Sequence, residues 1–132
     1  MSQRAESTYT IKKWDENPIK EMQRGAKIHR AVVHKVFTGD IEGESTLEYL
    51  LVYDEKGHSN YVGIELVVGS LGGKEGTFVL RHTGSFGGGI ASGKHTVVPG
   101  SGTGKLTGLR GSGEYSYGHE DSYPMLLDYD FE

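Results

Sequence analysis

Residues Gly69–Gly84 read GSLGGKEGTFVLRHTG. Glycines at 69, 73 and 76 lead into a β-type run, Thr77–Thr83, that carries a single histidine. The opening Gly-x-(Leu/Ile)-x-Gly recurs as Gly39-Asp40-Ile41-Glu42-Gly43 and as Gly104-Lys105-Leu106-Thr107-Gly108, the last followed by Gly111. Glycine among strand residues marks a bulge, a bend or a close approach of two backbones. Repeated between β-type runs, it writes the corners of a curved, closed sheet.

Working outward from that stretch, β-branched and aromatic residues mark further strands at Thr8–Trp14, Lys27–Thr38, Thr46–Tyr53 and Tyr61–Val68, then at His95–Val98, at Lys105–Leu109 with an extension to Tyr115, and at Tyr123–Phe131. Asp15–Gly25 reads as a polar connection with Asn17-Pro18 as its turn signal and room for a short helical turn over Ile19–Gln23. Gly39–Gly43 and Asp54–Gly57 read as turns, Gly84–Gly89 as a flexible loop, and Pro99-Gly100 as a stop. Tyr123–Phe131 alternates most cleanly, with Tyr123, Met125, Leu127, Tyr129 and Phe131 on one face. No segment carries a helical stripe. The expected fold is all-β: one domain over residues 1–132, an eight-stranded closed antiparallel β-barrel, with a two-sheet jelly roll as the alternative.

Composition bounds what such a barrel can do. At 132 residues the chain can bury roughly two thirds of its unfolded surface without a staple. It has no cysteine, which removes disulfides, zinc-thiolate sites and cysteine nucleophiles and fits a cytoplasmic location. MSQRAESTYT has no apolar core and is no signal peptide, and no apolar run is long enough to span a bilayer as a helix. Net charge −4 with scattered signs argues against nucleic acid. Glycine is the deviation, 21 residues, but without the three-residue period of collagen.

Two further expectations concern closure and assembly. If first and last strands pair, Lys12 and Lys13 stand to meet Asp128 and Asp130 across the seam; the alternative is that all four are solvated. The third and fourth strands are apolar on both faces, with Leu47, Tyr49, Leu51 and Tyr53 opposite Leu50 and Val52, and Val62, Ile64, Leu66 and Val68 opposite Tyr61 and Val67. Both faces then need cover, and a homo-oligomer, a dimer first of all, supplies it.

Motifs for chemistry are mostly absent. Gly100-Ser101-Gly102-Thr103-Gly104-Lys105 suggests a phosphate loop, but Pro99 and Leu106 stand where the motif needs glycine and Ser or Thr, and no helix follows. No two of the six histidines have the spacing of two that one strand face needs for a metal, and no Gly-x-Ser-x-Gly elbow occurs. No cofactor is expected. His82 shares the more apolar face of its strand with Gly76, Phe78 and Leu80, so it looks into the barrel, either satisfied by a carbonyl or water or serving as the polar group of a ligand cavity. Glu48 and Glu65 each sit mid-strand among apolar residues, where a carboxylate is costly unless paired. Either could act as an acid or base, although both lie on the less apolar face of their strands. Tyr61 goes in or out with Glu65. Trp14 could line the cavity or plug it. The candidate ligand set is therefore His82, Glu48, Glu65, Tyr61, Phe78 and Trp14.

Three runs carry a resemblance across nearly the whole chain: Phe37–Gly43 (FTGDIEG), Gly73–Gly84 (GKEGTFVLRHTG) and Val97–Leu109 (VVPGSGTGKLTGL). They resemble a bacterial family of uncharacterised single-domain proteins grouped by fold with the allene oxide cyclase-like β-barrels. The resemblance implies an eight-stranded barrel and an oligomer, and no activity. Fold-mates guide reactive intermediates through ring closure or coupling in an apolar cavity, but their own motifs are not visible here and function does not follow from fold. Three readings stand at this point: a barrel that binds a small apolar or aromatic molecule, a cofactor-independent cyclase or isomerase, and a structural barrel packed solid.

Overall fold

The computed structural model describes residues 2–20 and 27–132. It is an all-β closed barrel of eight antiparallel strands in sequential order, β1 (Gln3–Lys20), β2 (Lys27–Gly39), β3 (Ile41–Tyr53), β4 (Ser59–Leu71), β5 (Lys74–Gly87), β6 (Ile90–Val97), β7 (Leu109–Tyr117) and β8 (Tyr123–Phe131). No helix among the described residues is long and apolar enough to cross a membrane. The connections divide into two ends. Asp40, Gly72-Gly73 and residues 98–108 lie at one, which is closed; Asp54–His58, Gly88-Gly89 and Gly118–Ser122 lie at the other, where the barrel opens.

Most strands run further than their local sequence predicts, because pairing on both sides recruits polar and glycine residues into the ladders. Ile41–Ser45, Ser59-Asn60, Gly84–Gly87 and Ile90–Lys94 all belong to strands. Gly39–Gly43 does turn the chain, and the turn takes the single residue Asp40 between β2 and β3. Lys105–Leu109 does not begin the seventh strand: Gly104–Leu106 is a single 3-10 turn, and β7 starts at Leu109. The largest correction is in β1. Asp15–Lys20 is strand, not a polar connection, and pairs with Arg30–Ile28 and its neighbours on β2. The helical turn expected over Ile19–Gln23 is absent from Ile19 and Lys20; the rest of it, like residues 21–25 of the connection, lies outside the described residues.

β1 tolerates Pro18 because its upper half is an edge. Pairing with β8 stops at Tyr9↔Tyr123, while pairing with β2 continues to Lys20↔Ile28. An edge strand can spare the N–H that proline lacks. A bulge at Lys12 also interrupts the β1–β2 register. One extra residue exchanges the faces of everything beyond it. Ala5, Ser7 and Tyr9 point in below the bulge, and Trp14 and Glu16 take the interior side above it, opposite Val33 and Ala31.

The barrel closes through β1 and β8, from Gln3↔Tyr129 to Tyr9↔Tyr123. The charges that meet across this seam are Arg4 and Asp128, joined by two hydrogen bonds of 2.8 and 3.1 Å. Lys12 and Lys13 lie beyond the paired segment, and Asp130 instead takes Arg110 at 2.9 Å.

The three glycine motifs do more than turn the chain. Their central residues, Ile41, Leu71 and Leu106, are each 1% exposed or less and meet inside the closed end with Phe37, Phe78, Leu80, Val97, Leu109 and Leu127. The flanking glycines allow this crowding. Gly43 and Gly69 face one another across β3 and β4 at φ +146° and +156°, and a Cβ on either would stand 2.2 or 2.0 Å from a carbonyl oxygen of the opposite strand. The phosphate-loop lookalike runs along β5 where β6 stops short. Thr103 bonds the Thr77 backbone twice, its N–H donating to the Thr77 carbonyl at 2.9 Å and its hydroxyl accepting from Thr77 N–H at 3.0 Å, and the Ser101 hydroxyl accepts from Val79 N–H at 3.1 Å. Its polar groups are spent on the sheet edge, not arranged to hold an anion.

Candidate functional site

Above the plug the barrel is hollow. A cavity of about 410 Å³ opens at the end bounded by Trp14, Tyr53, Phe86, Gly89 and His119. A barrel packed solid is therefore not what this sequence builds.

Glycine explains how eight strands leave room for so many large side chains. Four inward rings in the upper half stand opposite a glycine on the neighbouring strand: Tyr49 over Gly63, Tyr61 over Gly84, Tyr115 over Gly93 and His95 over Gly113. A Cβ at Gly63 would stand 2.6 Å from the Tyr49 ring, one at Gly84 2.5 Å from the Tyr61 hydroxyl, and one at Gly113 2.5 Å from His95 Nε2. Pairing an aromatic ring with a cross-strand glycine covers the bare backbone and keeps the ring against the wall. The result is a lining of π-faces. His95, Tyr115 and Tyr117 form a stepped stack, with interplanar angles of 9° and 16° and centroid spacings of 6.1 and 4.9 Å. Tyr61 and Tyr115 join hydroxyl to hydroxyl above it, and Tyr117 donates to the Pro124 carbonyl. Burial pushes the Tyr9, Tyr49, Tyr115 and Tyr117 phenols up, so the wall is uncharged.

At the base of the cavity lies a charged cluster on adjacent strands. Glu65 of β4 is 1% exposed. Its Oε1 accepts from His82 Nε2 of β5 at 2.6 Å; its Oε2 accepts from the Ser45 hydroxyl of β3 at 2.5 Å and faces Lys35 Nζ of β2 at 3.5 Å. The Lys35 ammonium also stands 4.1 Å above the Tyr9 ring centre. Burial pushes the Glu65 carboxyl up, but Lys35, His82 and Ser45 together outweigh it and hold the group down at about 2. Burial conversely lowers the Lys35 ammonium, with Glu65 opposing. The carboxylate is thus ionised, and His82 carries its proton on Nε2. His82 Nδ1 is buried with no hydrogen-bond partner among the described residues. The neighbouring His95, 5.9 Å away ring to ring, donates from Nε2 to the Leu126 carbonyl at 2.7 Å. Burial brings that imidazole down to about 4, so it is neutral.

A second polar cluster stands at the mouth. Glu16 accepts from the Trp14 indole at 3.0 Å, the Tyr53 hydroxyl at 2.8 Å and His29 Nδ1 at 2.6 Å. Partial burial raises the Glu16 carboxyl, but these three donors outweigh it and lower the group overall. They also hold Trp14 and Tyr53 as two posts of the opening.

Of the six residues the sequence singled out, Trp14, Tyr61, Glu65 and His82 line the cavity. Tyr61 and Glu65 do face the same way, and the way is inward. Glu48 does not join them. It lies on the outer surface, bonded to Arg30, because β3 registers with Leu47 and Tyr49 inward. Phe78 points in but sits four residues below His82 towards the closed end, buried in the plug rather than beside the cavity. Sequence reading missed Lys35, although it interrupts the inward face Ala31, Val33, Phe37 as its one fully buried polar member. It missed His95, which shares the face of Val97, and Glu16, which was placed in a connection. Among the described residues no group of three or more His, Cys, Asp or Glu side chains is arranged to hold a metal ion.

A family model described as "Protein of unknown function (DUF3224)" matches residues 5–129. The crystal structure of a protein of unknown function from the DUF3224 family of Shewanella oneidensis MR-1 superposes with a TM-score of 0.81 at 29% identity, over 100% of this chain and 99% of that one. No curated protein matches the chain.

Proposed function

This chain belongs to the DUF3224 family, and we propose that it binds a small, planar aromatic or otherwise apolar molecule in the upper half of its barrel. The observation that carries the reading is the cavity itself: about 410 Å³, open at one end, walled by aromatic rings. Ligand pockets span roughly 300–1,000 Å³ and join a mostly apolar lining to a few placed polar groups. Here those groups are His82, His95, Lys35 and Glu65. An occupant stacks on the His95–Tyr115–Tyr117 steps and donates a hydroxyl hydrogen to the free imidazole nitrogen.

Trp14 is the only tryptophan and stands at the mouth, so it reports occupancy without a label. The test is titration with 1-naphthol, an uncharged hydroxylated aromatic, followed by Trp14 fluorescence. Saturable quenching is expected, and Ala91→Trp, which fills the lumen, should abolish saturation as seen by calorimetry. A linear, non-saturating response in the wild-type chain overturns the reading. A second reading, a cofactor-independent isomerase or cyclase of the kind that an allene oxide cyclase-like barrel implies, uses the same cavity; the unpartnered nitrogen of His82 is what favours it.

A further inference from the structure

The geometry points to a proton-transfer centre at the base of the cavity, in which His82 Nδ1 is a general base and Glu65 is its positioning residue. This rests on the binding reading above. A buried polar atom left without a partner calls for an explanation. His82 lines the cavity, and its Nε2–H is held by Glu65 at 2.6 Å, which fixes the ring and leaves the lone pair on Nδ1. A carboxylate behind an imidazole also stabilises the imidazolium that forms when the far nitrogen takes a proton. Lys35 on the second carboxylate oxygen keeps the cluster from carrying net negative charge, and the Tyr49 and neutral His95 rings flank His82.

The substrate class follows from that chemistry. It is a planar unsaturated molecule with a C–H acidified by a conjugated carbonyl or imine. His82 Nδ1 takes the proton and the C–H electron pair moves into the conjugated system. The same proton then returns to another carbon of the molecule, so the product is an isomer and no oxidant, reductant or water is consumed.

The probe is 5-nitrobenzisoxazole. Removal of its ring C–H proton breaks the N–O bond, the pair ends on oxygen, and the nitrophenolate product absorbs visible light. The rate constant per protein should exceed that of free imidazole by about 10²-fold or more, within the range positioned bases supply. His82→Gln should fall to the level of free imidazole. Glu65→Gln should lower turnover while leaving half-saturation unchanged, which separates positioning from binding. If 1-naphthol quenches Trp14 saturably but the probe turns over no faster than with imidazole, this proposal fails and the binding reading stands. If neither occurs, both fail. Should His82→Gln not fold, wild-type protein treated with phenacyl bromide decides. An adduct mapped to His82 by mass spectrometry and blocked by 1-naphthol supports the base, and adducts confined to exposed His34, His58 and His119 overturn it.

An independent observation concerns the outer surface. Leu50, Val52, Val62, Ile64, Leu66 and Val68 form one block on β3 and β4, each 42–52% exposed. We infer that a second copy of this chain covers it about a twofold axis lying along β4. The charges on the block select that occupant. Glu48, Ile64 and Arg81 stand in one row across β3, β4 and β5. A twofold axis over β4 places Ile64 on its own copy and each Glu48 on the other copy's Arg81. Arg30 holds only the Oε1 of Glu48, leaving Oε2 free, and Arg81 has no carboxylate partner among the described residues.

Sedimentation equilibrium should give twice the chain mass, and Ile64→Arg should give a monomer with unchanged circular dichroism. Arg81→Glu should weaken the dimer at least tenfold, with Arg81→Glu/Glu48→Lys restoring it. A monomer at all concentrations, a trimer, or a double variant no better than the single overturns the assignment.

Discussion

Replacing Glu65 by Gln removes one charge and strands another. Lys35 would remain buried with no counter-ion, a situation that costs about 3–5 kcal/mol. The expected outcome is a fall of that size in urea-unfolding free energy for Glu65→Gln, and a smaller one for Glu65→Leu/Lys35→Met, which removes both charges. The pH dependence has a definite sign. The carboxyl is held at about 2 against an ordinary 4.5, so the unfolded chain binds the extra proton between those values. Stability from Glu65 is therefore fully present above pH 4.5 and drains away as pH falls towards 2. Unfolding curves taken across that window should show the slope in wild-type protein and a flatter one in the Leu/Met double variant. His82 was legible from its face alone, because Phe78 and Leu80 share it. Glu48 and Glu65 were not separable in the same way: each sits on the less apolar face of a strand apolar on both, and only the register of β3 against β4 sends one out and the other in.

At the level of single strands, two devices shape the cavity, and neither follows a simple local rule. The bulge at Lys12 carries Trp14 and Glu16 to the interior, yet nothing in Ile11-Lys12-Lys13 announces an extra residue. Asn17-Pro18 belongs to the usual vocabulary of a turn, but on a half-paired strand proline is admissible and the chain simply continues. The cross-strand glycines were visible as an excess of glycine, and what was missing was their partners. Gly63 and Tyr49 make this measurable. Gly63→Ala places a methyl 2.6 Å from the Tyr49 ring and 2.9 Å from the Glu48 carbonyl, and should cost about 1–3 kcal/mol. In a Tyr49→Ala background the same change should cost at least about 1 kcal/mol less, because the ring no longer occupies the space. Additive losses in the double-mutant cycle would show that the backbone contact dominates instead.

Across the whole molecule, the closed all-β architecture was readable because eight strands, short turns and recurring glycine corners leave little else to build; the exposed block on β3 and β4 was readable from strands apolar on both faces. Which residues meet at closure was not, since it depends on how far β1 and β8 slide past one another. That closure has a kinetic consequence. Seven of the eight strand pairings join consecutive strands, and one, β1 with β8, joins residues such as Arg4 and Asp128 that lie 124 apart in sequence. Closing a long loop is entropically dearer than closing a hairpin, and contacts distant in sequence slow folding. The meander should therefore assemble first and zip shut last, with the seam still open at the rate-limiting barrier. Arg4→Ala should then speed unfolding while leaving the folding rate nearly unchanged, a pattern that stopped-flow measurements across denaturant concentrations would show as a shift of the unfolding arm alone. Because the lumen exists only once the seam is shut, any molecule held inside acts as a latch on the last step and should lengthen the lifetime of the folded chain rather than hasten its formation.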